Sequence, residues 1–224
     1  MKKNMQTGFP GSFSASDLEH IRGAVEEAER STSGEIVPCI VAQSDAYEEA
    51  IWRSGTIVPI SLMGMIMLLR MGTDVWLPVS LMESLLMTIL ITVLAMGAVS
   101  FSPTLRRILA GKTLRERRVM QGARETFLRE EVFRTRQRTG ILLYVSLLEH
   151  EVVVIGDTGI NARVHPHEWD EVTNLVVSGM KSGNPADGII KAIFRCRDLL
   201  RKHGFEQRRD DTNELPDNAR GYEE

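Results

Sequence analysis

Cysteine, aromatic residues and, through one long stretch, charge are all scarce in this chain. Its 224 residues include two cysteines, Cys39 and Cys196, far apart and without a CxxC or CxxH spacing. That excludes a disulfide framework and a zinc knuckle, and fits a reducing compartment. Aromatics make up 6% and do not interleave with basic residues, which argues against a stacking platform for nucleic acid. No zinc, RRM or KH signature accompanies the basic residues either. The first ten residues have Lys2 and Lys3 but no apolar core behind them, so they do not read as a cleavable secretory signal. No GxSxG nucleophile elbow occurs.

The scarcity of charge is the most informative of these. Between Arg53 and Arg106 only Arg70, Asp74 and Glu83 are charged, and they sit together between two apolar runs. The first run, Ser54 to Leu69, has 16 residues and the second, Ser84 to Leu105, has 22. A helix crosses a hydrocarbon core in about 20 residues. The shorter run reaches that length because Arg53 and Arg70 can extend their charges toward headgroups on long stems. Trp76 in the connection suits a membrane interface, and Pro78 is expected to break the helix. The pattern predicts a transmembrane hairpin over 54–105, with spans at about 54–70 and 84–105. Arg106, Arg107, Lys112, Arg115, Arg117 and Arg118 follow the second run, whereas the connection offers only Arg70. By the positive-inside bias both termini are expected in the cytoplasm, in a multi-pass protein of the inner membrane.

Outside the hairpin the periodicities alternate between helix and strand. Ser16 and Glu19 have the spacing of a capping box, and Leu18, Ile21, Val25 and Ala28 share one helical face. Glu35 to Ala42 is a β-branched run, with Pro38 placing it near an edge or bulge. Asp45 is a candidate cap for a helix leading into the first span. Lys112 to Arg136 reads as a long basic helix. GILLYVSLLEH followed by EVVVIGD from Gly140 predicts two adjacent strands joined by a tight turn. Helices are expected over about Pro166–Lys181 and Pro185–His203, the second capped by Asn184. The fold class is therefore α/β: an α/β/α sandwich with a small mixed central sheet, interrupted by the inserted hairpin. In domain terms, residues 1–53 and 106–217 form one domain, 54–105 the hairpin, and 218–224 a disordered tail.

Candidate chemistry is sparse, and no complete catalytic constellation is present. Asp157 ends a strand, where α/β sheets commonly gather ligand groups. With Asp210 and Asp211 from the tail it could offer oxygens to a hard divalent cation such as calcium or magnesium. His165 and His167 have an HxH spacing, but Pro166 between them suits a helix start better. Cys39 and Cys196 lie in apolar patterns, where thiols act as small core residues. Leu215 within Asn213-Glu214-Leu215-Pro216 is expected to dock the tail on the domain, since the proline stops a helix there.

SGEIVPCIVA at 33–42, RTGILLYVSLLEHEVVVIGDTGI at 138–160 and DDTNELPD at 210–217 together resemble the TPM domain family, in its membrane-embedded bacterial branch. The resemblance implies an α/β/α fold. It also implies one of several roles linked to the family: phosphatase activity, divalent-cation binding, photosystem repair or modulation of membrane receptors. This chain departs from better-known members in placing a hairpin inside the domain. Where they commonly read Gly-x-Gly-Leu-Glu, it has Asn161 at the position of the carboxylate. The expected function is a membrane-anchored, cytoplasm-facing scaffold or assembly and maintenance factor for other membrane proteins, with no nucleic-acid partner. A divalent-cation-dependent phosphatase is the alternative.

Overall fold

The computed structural model describes residues 13–72, 80–207 and 214–222. The chain divides into two compact units, one from residues 1–45 and 116–224, the other from 46–115. The inserted unit is thus wider than the apolar stretch, taking in a helix start before it and basic residues after it.

In the first unit, helix α1 spans Ala15–Glu29. Its capping box is Ser14 with Asp17, two residues earlier than the Ser16–Glu19 spacing suggested. Ser14 Oγ accepts from the Asp17 amide at 3.1 Å, and the Asp17 carboxylate accepts from the Ser14 amide at 2.8 Å. Strand β1 (Glu35–Val41) and strand β2 (Gly140–Ser146) are parallel, in register from Glu35↔Gly140 to Val41↔Ser146. Strand β3 (Glu151–Gly156) returns antiparallel to β2. A short strand β4, Arg220–Tyr222, pairs parallel with β1, giving the order β3-β2-β1-β4. Arg220–Tyr222 fall inside the 218–224 tail expected to be disordered. Three residues flanked by polar sequence carry too little periodicity to announce a strand; their partner, the β1 edge, supplies the order.

Pro38 is buried inside the sheet, yet its missing donor causes no conflict. The Ile36 amide points away from β2, donating to Glu29 Oε1, and the Ala42 amide donates to the Tyr222 carbonyl. Strand alternation puts the position of Pro38 on that same side, and β4 pairs only from Cys39 onward. The absent N–H therefore falls where no acceptor needs it.

Both sheet faces are covered, which is why β1 and β2 read as unbroken apolar runs. Ile36, Ile40, Ile141, Leu143 and Val145 pack against α1, α7 (Asp170–Lys181) and α8 (Pro185–Lys202). Val37, Cys39, Val41, Leu142 and Tyr144 face Val119 and Ala123 of α5 (Lys112–Arg129), with Leu215 of the tail. α5 ends seven residues before the expected Arg136. Glu131 and Arg138 there take positive φ of 51° and 58°, which a helix interior does not tolerate. Before α7 lie a short helix α6 (Thr158–Asn161) and a 3₁₀ turn, Pro166–Trp169.

α7 and α8 approach through glycines: a Cβ on Gly179 would lie 2.7 Å from the Gly188 Cα and 2.9 Å from the Asn184 carbonyl. These are backbone atoms that cannot rotate away. Gly179→Val is expected to destabilise by about 1–3 kcal/mol. In a thermal melt of the whole chain that is a fall of roughly 3–10 °C; an unchanged midpoint would contradict this packing.

In the second unit, α2 spans Glu48–Gly72 and α3 Leu81–Phe101. The carboxylate of Asp45, the candidate cap, pairs with Arg118 at 3.0 Å. α3 starts with a capping box between Ser80 and Glu83. The second apolar run does not continue as one helix to Leu105, because Ser102 is extended and Pro103 opens a separate helix, α4, Pro103–Ala110. Pro78 and the rest of the connection, 73–79, lie outside the described residues. Windows in Glu48–Leu69 and Met82–Phe101 have mean hydropathy of 1.4 and 2.2, so both helices are long and apolar enough to cross a membrane. α2 and α3 meet through small residues, with Gly55 under Met96. Thr88 and Thr92 return their hydroxyls to carbonyls four residues back, each at 2.8 Å, which satisfies them without water. Ile60, Leu68, Leu86, Leu90 and Leu94 are exposed along these helices.

Candidate functional site

The parallel pair β1–β2 ends beside α5, and a polar cavity of about 150 Å3 opens there. It is lined by Val41, Ser44, Asp45, Arg118, Gln121, Gly122, Glu125, Thr126, Arg129 and Tyr144. Gly122 is required for its shape, since a Cβ there would sit 2.6 Å from the Tyr144 hydroxyl. Below the cavity lies a buried polar chain. Ser44 Oγ is 3.2 Å from the Tyr144 hydroxyl and 2.7 Å from Ser146 Oγ. Ser146 donates to Glu149, which also accepts the Ser44 amide at 2.9 Å. Glu149 is 2% exposed, and these donors are what make burial of its carboxylate tolerable. Arg118 and Arg129 bring guanidinium groups to the rim. Arg118 is tied to Asp45, and Arg129 stacks 3.9 Å above the Tyr222 ring. A cavity with hydroxyls inside and guanidinium groups at the rim can hold a small polar or anionic group. The sequence reading missed it. Its residues come from a loop, two strands and the inner face of a helix, and no short-range spacing links them.

Asp157 is placed at the other end of the sheet. Because β3 runs antiparallel, its C-terminal end lies beside the N-terminal ends of β1 and β2, and the Asp157 amide donates to the Gly140 carbonyl at 2.9 Å. The rule that ligands gather at strand C-termini belongs to parallel sheets, so it does not carry over to this position. Asp157 is 4% exposed. One carboxylate oxygen caps α6 by accepting the Thr158 amide at 2.6 Å, and the other lies 3.0 Å from Arg138 Nε as an ion pair without hydrogen-bond alignment. Its oxygens are thus engaged in a cap and an ion pair. Asp210 and Asp211 lie outside the described residues. Among the described residues, no group of three histidine, cysteine, aspartate or glutamate side chains could hold a metal ion. Asn161, at the position of the family's carboxylate, donates its side-chain amide to the Gly156 carbonyl at 2.5 Å and so closes the turn.

The histidines open the 3₁₀ turn, their rings stacked at 5.8 Å. Glu168 in that turn accepts from Lys202 and His203, both at 2.9 Å, and these partners with the His165 amide hold its carboxyl down to about 2. Burial pushes the Cys196 thiol up to about 12, the opposite of what a nucleophile needs. Cys39 is buried in β1.

A second concentration of titratable groups joins the tail to the body. The Glu35 carboxylate accepts the backbone amides of Glu214 and Leu215 at 3.2 and 3.3 Å. Asp217 reaches hydrogen-bonding distance of Glu29. Burial, with these neighbouring carboxylates, raises Glu29 to about 9 and Glu35 to about 7. Further along, Glu130 takes both the Tyr222 hydroxyl and the Arg220 guanidinium.

Comparison with known proteins agrees with this architecture. No curated protein matches the chain. Among solved structures it is similar to the NMR structure of the BA42 protein from the psychrophilic bacterium Bizionia argentinensis, with a TM-score of 0.56 and 19% identity, covering 99% of this chain and 100% of that one. At that identity the likeness concerns the fold alone. Residues 106–199 match the family model of the TPM domain. That match covers the stretch that carries α5, β2, β3, α6, α7 and most of α8.

Proposed function

We propose that this TPM-domain protein is a membrane-anchored scaffold, or an assembly and maintenance factor, for other membrane proteins. Its α2–α3 hairpin would cross the inner membrane twice and leave both termini in the cytoplasm. The observation that carries this reading is the exposure of α2 and α3. They pack on each other through Gly55 against Met96 and Thr88 against Met63 while Ile60, Leu68, Leu86, Leu90 and Leu94 face outward. Such a surface needs lipid or another apolar helix to cover it. The positive-inside bias of Arg106 to Arg118 supports the orientation. Crosslinking in the native membrane, followed by identification of the captured chains, tests the scaffold role. Repeated capture of particular membrane proteins supports it, and capture of lipid only would end it.

One observation favours a second reading, a divalent-cation-dependent phosphatase. The cavity beside α5 offers Arg118 and Arg129 with the hydroxyls of Ser44 and Tyr144, groups suited to a phosphate. Hydrolysis of p-nitrophenyl phosphate by the full chain, with calcium or magnesium added, tests it. Turnover lost on Arg129→Ala would assign the phosphate to the cavity, whereas cation-dependent turnover that survives Arg129→Ala and is lost on Asp157→Ala, with the fold intact by circular dichroism, would place the site instead at Asp157, at the opposite end of the sheet. No turnover under any cation removes the enzyme reading.

A further inference from the structure

The sheet ends at β4 on one side and at β3 on the other, and among the described residues no strand covers the outer edge of β3. The pairing with β2 fixes which way that edge points. The Asp157 amide donates to the carbonyl of Gly140, the residue opposite it. In an antiparallel ladder Glu151, Val153 and Ile155 therefore exchange their bonds with β2, while Val152, Val154 and Gly156 turn their N–H and C=O groups away from it. The Gly156 carbonyl is taken by the Asn161 side-chain amide at 2.5 Å. Among the described residues, nothing bonds to the outward groups of Val152 and Val154. Nor does the edge carry the usual protections: residues 152–156 include no charge and no proline, and the register with β2 runs without a bulge. Val152 and Val154 are half-buried on the α7 side of the sheet, and Val153 and Ile155 on the α5 side.

We propose that this edge pairs with β3 of a second copy of the chain, antiparallel about a dyad at Val153, so that two four-stranded sheets become one. Complementarity selects the occupant. The dyad places Val152 opposite Val154 of the second copy, the two positions whose backbone groups point outward, and each such pair exchanges both of its N–H···O=C bonds. Val153 stands against its own copy as a β-branched cross-strand pair. Glu151 falls opposite Ile155 and His150 opposite Gly156, so no like charges face each other. The dyad is perpendicular to the sheet, so α7, which packs on β3, runs opposite to the α7 of the second copy on the same face. Its first turn carries Asp170 and Glu171 and its last residue is Lys181, all exposed. Antiparallel helices bring acidic toward basic ends, whereas a parallel arrangement would align like charges. The contact does not depend on the membrane reading of α2 and α3.

The full chain is purified in mild detergent, and Val153→Cys and Ile155→Cys are each oxidised with copper phenanthroline; Cys39 and Cys196 are buried and do not compete. In the proposed register the two 153 positions form a non-hydrogen-bonded pair with Cα atoms about 4.5 Å apart, within reach of a disulfide, whereas position 155 meets position 151. The expected result is disulfide-linked dimer from Val153→Cys at about ten times the yield from Ile155→Cys. By light scattering the unsubstituted chain is expected to be a dimer and Val154→Pro a monomer, since the N–H that proline removes lies outside the β2 ladder. Circular dichroism checks that Val154→Pro keeps its fold; if it does not, the contrast between 153 and 155 decides alone. A monomer at every concentration, or equal linking at 153 and 155, overturns the proposal. A dimer that survives Val154→Pro with the fold intact also overturns it, placing the contact elsewhere on the chain. So does linking at 153, in native membranes, to a different protein only.

Discussion

Raising the pH from 5 to 9 will detach the C-terminal segment, 214–222, from the sheet edge. Its docking places Glu214, Leu215 and Asp217 against Glu29 and Glu35, whose carboxyls are raised from an ordinary value near 4.5 to about 9 and about 7. A raised carboxyl binds its proton more tightly in the folded state. The docked form therefore has its full stability below about pH 4.5 and loses it as the pH climbs through 7 for Glu35 and then 9 for Glu29. Burial is the main cause for both groups; Asp217 adds to it at both, and Glu35 adds to it at Glu29. The Ile36 amide at Glu29 and the Glu214 and Leu215 amides at Glu35 favour the charged carboxylates and oppose the effect without reversing it; Arg136 lies 3.6 Å from Glu214, and the charge of Arg22 acts on Asp217. After solvent screening the loss is on the order of a few kcal/mol, because each tenfold gain in proton affinity is worth about 1.4 kcal/mol. Hydrogen exchange of 214–222, corrected for intrinsic rates, is expected to accelerate at least tenfold from pH 5 to 9. Glu29→Gln, which keeps an acceptor for the Ile36 amide without the charge, is expected to flatten the profile. Parallel profiles for the two proteins would refute the account.

On the proposed membrane reading, Leu90→Arg with Leu94→Arg will remove the chain from the membrane fraction. Both leucines are exposed in the middle of α3. An arginine at the centre of a spanning helix costs about 2.5–3.5 kcal/mol on an insertion scale, so the pair opposes insertion by roughly 5–7 kcal/mol. Carbonate extraction is expected to shift from pellet to supernatant, or the protein to be degraded. The sign of the result is diagnostic. If α2 and α3 met water, the same pair would leave the protein folded and more soluble, and the membrane reading would fall.

The elements that were readable in the sequence are those whose cause is local. α1 declares itself through caps and a 3.6-residue period, α8 through Asn184 and Gly204, and β2 with β3 through β-branched runs on either side of a turn. Shifts of a residue or two arise where two capping pairs compete, as Ser14–Asp17 does with Ser16–Glu19. The break at Ser102 needed attention to Pro103 alone, a residue that favours the first position of a helix. β4 was not legible, because three residues order only against a partner about 180 positions earlier in the chain. Nor were the neighbours of Asp157 legible: the antiparallel return of β3 turns that strand end toward Arg138, and one carboxylate oxygen accepts the Thr158 amide.

By itself, then, the sequence determined that this chain carries two apolar helices inside an α/β domain, because hydrophobic period, caps and charge distribution act over a few residues. The tertiary structure alone decided which carboxylates face one another at the tail, which hydroxyls and guanidinium groups share the cavity at the end of β1 and β2, and which acidic residue is spent on a cap. Those properties depend on strand direction and on pairings between distant positions. Burial and like charge then alter proton affinities in a way that no local pattern encodes.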